Sequence, residues 1–340
     1  MSWIFRYETF TAPDWKILAS LWHPVAYSRD ARDAPVAARL LEQDLVIYRG
    51  STGVTVARDI CLHRGVKLSR GRIEDHEIVC PYHGLRYDGT GRCTHIPAQD
   101  PEIVISSKLS LQVFPAIERF GMVWTCLAPD GEMPPLPDWP QFEDPSWQAI
   151  PIPPAFWKAS AMRQTENFND VAHLSHVHTG TFGIAKSARI PSYEVKRGDT
   201  TLHFEIPYTQ IDRTTFDDGK PTEITKRYVY DCTLPFCSRL WIQSPDGQDQ
   251  ILVDIAVPIT AKTCLVYVIM LRNFGHDQPL EPAIKFEQAV AAEDRPMVED
   301  QRPEELPLHL ADEVHILADR FSIEYRKMLS GMGLGKGWSA

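Results

Sequence analysis

The segment CLHRGVKLSRGRIEDHEIVCPYHG, residues 61–84, contains two cysteines and three histidines. One residue separates Cys61 from His63, and two residues separate Cys80 from His83. Sixteen residues lie between the two pairs, so two short loops each supply one thiol and one imidazole. This spacing indicates a metal centre rather than a chance cluster.

Each loop supplies one cysteine and one histidine, and this distribution distinguishes between two kinds of metal centre. Zinc accepts the same side chains, but zinc fingers usually place two cysteines on one loop and two histidines on the other. In a Rieske [2Fe–2S] centre, two thiolates hold one iron and two imidazoles hold the other. We therefore predict a Rieske cluster held by Cys61, His63, Cys80 and His83, with a zinc site as the alternative.

Strand-like segments surround this motif. Residues 36–127 consist of short apolar or alternating runs separated by Gly, Asp-Gly and Pro, which predicts strands and turns. Residues 128–154 contain nine prolines, which exclude a continuous helix or a central strand. We therefore predict a Rieske domain at 1–130 and a second domain at 131–340, and the first ~35 residues could pack on the second domain.

Composition limits the possible functions. The chain has 340 residues and a formal net charge of −10, which argues against nucleic-acid binding. The longest apolar run, CLVYVIML at 264–271, is far shorter than the roughly 20 residues of a membrane helix, and the N-terminus does not resemble a signal peptide. We expect no membrane segment and a cytoplasmic protein. The seven cysteines are then thiols or ligands rather than a disulfide framework.

The pattern changes after residue 154. Residues 163–180 predict a helix that stops at a glycine, and the runs from about 190 to 272 predict a broad antiparallel sheet. A second helix is predicted at 281–296, interrupted at Pro296. The predicted fold class is therefore α+β, an all-β N-terminal domain followed by an antiparallel sheet combined with helices. A third helix is predicted from apolar residues at helical spacing: Leu310, Val314, Leu317, Phe321, Tyr325 and Met328.

A second group of candidate ligands lies in ENFNDVAHLSHVH, residues 166–178. On a helix, Glu166, Asp170 and His173 are spaced four and three residues apart and share one face. Two histidines and a carboxylate form the facial triad of non-haem Fe(II) oxygenases. The segment therefore predicts a mononuclear iron site in the second domain.

Three histidines compete for two ligand positions in this segment. Helical geometry pairs His173 with His176, one turn apart. His178 lies five residues after His173, about 140° around an ideal helix, so it could ligate only if the helix ended or distorted there. Geometry alone therefore favours His176, although a helix end at Thr179-Gly180 would keep His178 as the alternative.

Together the motifs resemble those of the Rieske non-haem iron oxygenases, specifically their terminal oxygenase (α) subunits, over nearly the whole chain. The CLH…CPYHG motif matches, as does Asn-x-x-Asp-x-x-His-x₄-His at Asn167, Asp170, His173 and His178. The C-terminal AAEDRPMVEDQRPEE is similar to the single-subunit branch of vanillate and dicamba O-demethylases, methylxanthine N-demethylases and phthalate-dioxygenase-like enzymes.

The resemblance implies a helix-grip fold for the catalytic domain at 131–340. It also implies which residues hold the mononuclear iron. His173 and His178 would be two ligands, and Asp294 would be the third. From the residues alone, Glu287 and Glu293 on the same predicted helix are alternatives to Asp294.

Helical periodicity favours Asp294 over its neighbour. Asp294 lies four residues after Val290 and eight after Phe286, an apolar stripe that would point it inward. Glu293 is expected to face water.

The resemblance also implies roles for two residues that are not ligands. Asp170 would join His173 to His83 of a neighbouring subunit, since a carboxylate between two imidazoles orients both rings and shortens the electron path. Such a bridge implies a head-to-tail ring, usually a trimer. Asn167 matches a family position near the iron.

The sequence thus predicts an enzyme that uses O₂ and NAD(P)H-derived electrons. The electrons would arrive from a flavin reductase, with or without a ferredoxin, and pass through the Rieske cluster to the mononuclear Fe(II). An aromatic or cyclic small molecule would be hydroxylated or oxidatively demethylated.

Residues 58–92 hold seven Lys or Arg and five Asp or Glu, a local charge of +2 that suits an acidic electron donor. No Gly-rich dinucleotide fingerprint is evident, so we do not expect NADH to bind this chain.

Three other functions remain alternatives: a cis-dihydroxylating dioxygenase with the same metal site, a non-catalytic Rieske electron carrier, and a ligand-binding protein. The substrate is expected to bind between residues 166–185 and the strands at about 200–272. A substrate carboxylate could pair with Lys186, Arg189 or Arg239. The candidate pocket residues are Phe182, Phe204, Tyr208, Tyr228, Trp241 and Phe274.

Overall fold

The computed structural model describes residues 5–131, 133–217 and 220–335. Contacts between residues divide the chain into two compact units, Met1–Leu136 and Pro137–Ala340. The division falls inside the proline-rich segment. No helix within the described ranges is long and apolar enough to cross a membrane.

The described part of the first unit is built mainly of short strands, together with helix α1 (Ala12–Ala19). The strands are β1 (His23–Tyr27), β2 (Val36–Leu40), β3 (Gln43–Gly50), β4 (Gly53–Arg58), β5 (Arg72–Glu74), β6 (Glu77–Val79), β7 (Arg86–Tyr87), β8 (Cys93–His95), β9 (Val113–Phe114), β10 (Ala116–Arg119) and β11 (Met122–Thr125). They form three antiparallel sheets in the orders β1–β11–β10, β2–β3–β4–β9 and β5–β6–β7–β8. Strands β1 and β2 pair with β11 and β3, so residues 23–40 contribute to sheets of the first unit.

One hydrophobic core holds both cysteine-bearing loops. Cys61 and Cys80 are buried in it, and β6 ends immediately before Cys80. Because a close-packed interior resists displacement, the two thiols are held at fixed positions relative to each other. The buried residues packed around them include Val46, Tyr48, Leu68, Ile78, Leu85 and Tyr87.

The described part of the second unit is an antiparallel sheet with four α-helices. The strands are β12 (Gln148–Pro151), β13 (Ala155–Trp157), β14 (Lys196–Arg197), β15 (Thr201–Asp217), β16 (Lys220–Thr233), β17 (Cys237–Gln243), β18 (Gln250–Thr260) and β19 (Thr263–Arg272). The helices are α2 (Ala161–Phe168), α3 (Leu174–Val177), α4 (Glu281–Glu299) and α5 (Arg320–Gly331). The sheet order is β12–β19–β18–β17–β16–β15–β14, and β13 also pairs with β19. The predicted α+β class, with an all-β N-terminal part and a helix-covered antiparallel sheet, is confirmed.

Short 3₁₀ helices complete the described structure, at Leu68–Arg70, Pro140–Phe142, His178–Gly180, Ala185–Ser187 and Leu310–Asp312.

Helix α2 is fixed to the sheet and to α5 by buried polar contacts. Gln164 Nε2 donates a hydrogen bond to Asp254 Oδ2 on β18, 3.1 Å away. Arg326 of α5 donates to both carboxylate oxygens of the buried Glu166, at 2.7 and 2.8 Å. Breaking a buried pair of this kind typically costs about 3–5 kcal/mol, so α2 has little freedom to shift.

The single helix predicted over 163–180 is wrong, because α2 ends at Phe168 and α3 spans only Leu174–Val177. The buried Asn169 amide explains the break. Its Nδ2 donates to the backbone oxygen of Thr165 at 2.8 Å and to Ser238 Oγ at 2.7 Å, which anchors the chain to β17 where the helix would have continued. Glu166 therefore faces Arg326 and does not share a helical face with the residues that follow the break.

Two other helix boundaries differ from the prediction. Helix α4 is not interrupted at Pro296 but continues to Glu299, since a proline this close to the end removes a single helical hydrogen bond. The helix predicted from residue 310 begins only at Arg320, and Val314 and Leu317 are 95% and 90% exposed. The apolar spacing before residue 320 was therefore coincidental.

Candidate cluster and iron sites

The two cysteine loops have the same backbone hydrogen-bond pattern. In each loop the cysteine N–H donates to the carbonyl five residues later, at 2.8 Å for both Cys61 and Cys80. The glycine four residues after each cysteine donates back to the cysteine carbonyl, at 2.8 Å for Gly65 and 3.1 Å for Gly84. Both glycines have positive φ, +74° and +73°, which residues with a Cβ rarely adopt. Each loop is thus a tight turn that presents its cysteine and histidine side by side.

The four predicted cluster ligands divide into a buried pair and an exposed pair. The thiols of Cys61 and Cys80 are each 2% exposed, whereas His63 and His83 lie at the surface of the unit with ring centroids 4.6 Å apart. Burial is the largest influence on the Cys61 thiol and raises its pKa, so metal binding must displace the proton. These residues fit the ligand set of a [2Fe–2S] cluster, in which the buried thiolates would hold one iron and the exposed imidazoles the other.

One side chain in the core can tune this cluster. The hydroxyl of Tyr87 lies 3.4 Å from Cys61 Sγ. With Cys61 as a metal-bound thiolate, the hydroxyl is the donor, and hydrogen bonds to cluster sulfurs help to set the reduction potential.

In the second unit, His173, His178 and Asp294 bring one ligand atom each within 4.8 Å of the others. Asp294 Oδ1 lies 3.3 Å from Nε2 of both histidines. This oxygen is buried and has no hydrogen-bond partner in the described part of the chain. Adjacent ligands about 2.1 Å from a metal ion are roughly 3 Å apart, so the three atoms fit a shared divalent cation better than a hydrogen bond.

Each histidine is oriented by a second carboxylate. His173 Nδ1 lies 3.0 Å from Asp170 Oδ2, and His178 Nδ1 lies 3.0 Å from Glu293 Oε2. Thr181 Oγ1 donates to the same oxygen of Glu293 at 2.7 Å. A carboxylate that holds the Nδ1 proton leaves the Nε2 lone pair free to face a metal.

In the metal-free site, His173 and Asp294 shift each other's pKa. Burial is the largest influence on His173 and lowers its pKa, but the hydrogen bond with Asp170 and the negative charge of the nearby Asp294 carboxylate outweigh it and raise the pKa to about 9. Burial is also the largest influence on Asp294, where the two imidazoles outweigh it and lower the pKa to about 2. Metal binding must therefore release a proton from His173, which weakens binding as the pH falls.

The structure distinguishes the three histidines of residues 166–178. The chain passes from α3 into a 3₁₀ turn at His178, which brings the 1% exposed His178 to the same carboxylate as His173. His176 is exposed. Asn167 lies half-buried in the last turn of α2, where its backbone oxygen accepts the N–H of Asp170 at 3.1 Å.

The expectation that Glu293 faces water is wrong, because its carboxylate binds His178 and Thr181. The sequence suggested Glu293 only as an alternative ligand and not as a partner of His178, although Gly180, two residues after the histidine, was a signal of a close neighbour. A Cβ added at Gly180 would lie 2.4 Å from Glu293 Oε1.

The prediction that Val290 and Phe286 lie on the buried face of α4, and so direct Asp294 inward, is also wrong. Phe286 is 36% exposed, and the buried positions of α4 are Glu287 and Val298. Asp294 shares their face, seven residues after the first and four before the second.

The residues predicted to line a pocket separate into two groups. Phe182 stacks on the proposed ligand His178 with centroids 4.8 Å apart, and a series of rings continues from it, with Tyr208 6.3 Å from Phe182 and Tyr228 5.2 Å from Tyr208. The other group includes Phe204, which stacks on Tyr230 in the core, Trp241, which donates to Asp249, and Arg239, which pairs with Asp231 at 2.6 Å.

Comparison with known proteins identifies the family. Residues 21–115 match the Rieske [2Fe-2S] domain, and residues 157–334 match the vanillate O-demethylase oxygenase C-terminal domain. The chain belongs to the Rieske non-haem iron oxygenases. It is 31% identical over 320 residues to methylxanthine N1-demethylase NdmA of Pseudomonas putida, covering 92% of this chain and 88% of that protein. Methylxanthine N3-demethylase NdmB of the same organism is also 31% identical, over 91% and 88% of the two chains.

The solved structure of NdmA with caffeine superposes with a TM-score of 0.81 and 29% identity, covering 96% of this chain and 94% of that one. Several predictions are thereby confirmed. The protein is the terminal oxygenase component of a Rieske system and takes electrons from a reductase or ferredoxin. It uses O₂ on a small-molecule substrate, and its cofactors are a Rieske [2Fe–2S] cluster and a mononuclear iron.

Replacing Glu293 tests the orientation of His178. Glu293→Gln removes the charge that favours an Nδ1 proton on the histidine but keeps the shape of the side chain. We expect the affinity for the mononuclear iron to fall by about 10- to 100-fold, with an unchanged Rieske absorption spectrum. Anaerobic Fe(II) titration of the apoprotein measures this. Glu281→Gln, at an exposed position of the same helix, should bind iron like wild type. Equal affinity in both variants would mean that Glu293 does not orient the ligand.

Proposed function

We propose that this oxygenase removes an N-methyl group oxidatively from a nitrogen heterocycle. The observation that carries the proposal is the near full-length similarity to two methylxanthine N-demethylases, together with the gathered His173, His178 and Asp294 side chains. The aromatic side chains beside His178 suit a flat heterocycle. A cis-dihydroxylating dioxygenase would need the same metal ligands, but the full-length relatives favour demethylation.

The ligand assignments are part of the proposal. Cys61 and Cys80 hold one iron of the Rieske cluster, and His63 and His83 hold the other. In this assignment the first unit corresponds to the Rieske domain, proposed at residues 1–130, and the second to the catalytic domain at 131–340. The buried thiols and exposed imidazoles support it.

The mononuclear iron is assigned to His173, His178 and Asp294. When bound, this iron provides a site at which O₂ is activated with electrons from the cluster. The protein's own contribution is to hold the ligands still. Asp170 and Glu293 keep the Nδ1 protons of the two histidines. Phe182 covers one face of the His178 ring.

Demethylation then follows from ordinary carbonyl chemistry. Insertion of one oxygen atom into a C–H bond of the methyl group gives a hemiaminal, and the second oxygen atom leaves as water after uptake of two electrons and two protons. The hemiaminal C–N bond breaks to release formaldehyde and the N–H heterocycle.

The electron donor is proposed to be a flavin reductase, with or without a ferredoxin, carrying electrons from NADH. The local charge of +2 over residues 58–92 supports an acidic docking partner. We place the protein in the cytoplasm, where the five cysteines outside the proposed cluster, none of them in a disulfide, would stay reduced.

We propose a head-to-tail homotrimer in which the cluster of one subunit serves the iron of the next. Two observations support it. His63 and His83 are exposed on the first unit, and the Asp170 side chain, 27% exposed, retains contact with solvent while it binds His173. Asp170 would then accept a hydrogen bond from His83 of the neighbouring subunit.

The reaction is tested with purified oxygenase, a surrogate reductase and NADH. With caffeine or theobromine as substrate we expect NADH-dependent O₂ uptake and one formaldehyde for each NADH consumed, because demethylation requires two electrons. Formaldehyde and NADH are measured in the same sample. A vicinal diol product without formaldehyde would overturn the demethylase assignment in favour of a dioxygenase.

The trimer is tested with mixed oligomers. His83→Ala chains lack an intact cluster, and Asp294→Ala chains lack the iron, so each oligomer alone should be inactive. Co-assembled, they should regain part of the activity, because the cluster of an Asp294→Ala chain can serve the iron of a neighbouring His83→Ala chain.

The matched control adds Asp170→Asn to the His83→Ala chain, which should abolish most of that recovery. No recovery in verified mixed oligomers would mean that each chain works alone.

A further inference from the structure

Helix α4 carries a buried carboxyl group that the iron site does not use. Glu287 is 7% exposed, and its Oε1 accepts a hydrogen bond from Gln250 Nε2 of β18 at 2.9 Å. Among the residues that the structure describes, Gln250 is its only hydrogen-bond partner. A buried carboxyl with a single partner destabilises a fold, so its presence calls for a role that offsets this cost.

The position of Glu287 relates it to the iron site. It precedes Asp294 by seven residues on α4, which is two turns or about 10 Å along the same face of the helix. His178 and the hydroxyl of Tyr228 both lie close enough to interact electrostatically with its carboxyl group.

A series of aromatic rings extends from the proposed ligand His178 across the sheet. Tyr228 neighbours Tyr208, which neighbours Phe182, which stacks on His178. In the sheet, Tyr228 pairs with Ile242 and Ile242 pairs with Gln250, so the series ends two strands from the residue that holds Glu287.

The chemistry of the pair defines what it can recognise. A carboxylate only accepts hydrogen bonds, and the amide of Gln250 already occupies one oxygen of Glu287. The other oxygen can accept a hydrogen bond from a ligand N–H. An aromatic carboxylate would be repelled there, and Arg239, considered above as a partner for such a group, is paired with Asp231.

We propose that Glu287, held by Gln250, accepts a hydrogen bond from a ring N–H or protonated ring nitrogen of the substrate and so selects among N-methylated heterocycles. The proposal rests on the proposed function, because it assumes a nitrogen heterocycle beside the iron. Burial, the largest influence, raises the pKa of Glu287 to about 7, so a proton donor that stabilises the carboxylate would bind with a gain in free energy.

The test compares ligands that differ only by hydrogen or methyl at one ring nitrogen. Theobromine and caffeine form one pair, and benzimidazole and 1-methylbenzimidazole form a second pair outside the xanthines. Binding to the cluster- and iron-loaded protein is measured by calorimetry without O₂, so that turnover does not contribute. We expect wild type to bind the N–H member of at least one pair about tenfold more tightly, as for a hydrogen bond to a charged group.

Variants separate recognition from steric exclusion of the methyl group. In Glu287→Gln the amide oxygen stays with Gln250 and the NH₂ group faces the ligand, so the N–H preference should disappear. Glu287→Met, an apolar side chain of similar length, should also lose it and serves if the first variant does not fold. Glu281→Gln, in the exposed first turn of α4, should keep the wild-type ratio.

Two results would overturn the proposal: no N–H preference in wild type, including no binding of any probe, or the same preference in both Glu287 variants as in wild type. The demethylation assay stays independent. An N–H preference that depends on Glu287, without formaldehyde release, would support the recognition and overturn the proposed reaction.

Discussion

A buried carboxylate oxygen without a hydrogen-bond donor organises the catalytic unit. Asp294 Oδ1 lies 3.3 Å from Nε2 of His173 and of His178. Leaving such an oxygen unsatisfied costs free energy unless a cation shares it. The surrounding structure maintains the arrangement: Asp170 and Glu293 hold the outer nitrogens of the two rings, and the buried pair of Glu166 and Arg326 fixes α2 just before the histidines. The site is thus built for a metal ion, which agrees with the iron of the family.

The sequence predicted the catalytic unit at the level of its sheet and helices but not its local geometry. Every second side chain is buried in β17 and in residues 201–208 of β15, whereas β18 and β19 contain longer buried runs; both patterns predict strands of a sheet. The break after Phe168 could not be predicted, since it depends on the Asn169 amide reaching Ser238 on a strand distant in sequence. Glu293 was misplaced for a similar reason: a helical wheel shows which residues share a face, but not that His178 lies opposite that face.

The cluster loops were easier to predict from the sequence because residues close together in the chain determine their conformation. Cysteine, histidine and glycine recur within a few residues in both loops, and each loop closes through its own backbone hydrogen bonds. Nothing distant in sequence is needed to place the ligands side by side. Contacts between residues distant in sequence affect the reduction potential instead, as with the hydroxyl of Tyr87 beside Cys61 Sγ. The cluster site was therefore predicted better than the iron site, because contacts between residues close in sequence form the first and contacts between distant residues form the second.

The central claim is that His178, not His176, completes the iron site with His173 and Asp294. Iron content and the Rieske spectrum of His178→Ala and His176→Ala test it most directly, since the two residues are neighbours that differ in burial. Wild type should hold about three iron atoms per chain, two in the cluster and one at the mononuclear site. His178→Ala should keep the Rieske spectrum and lose the third iron, whereas His176→Ala should keep all three. Loss of the third iron from His176→Ala, with retention in His178→Ala, would contradict the account.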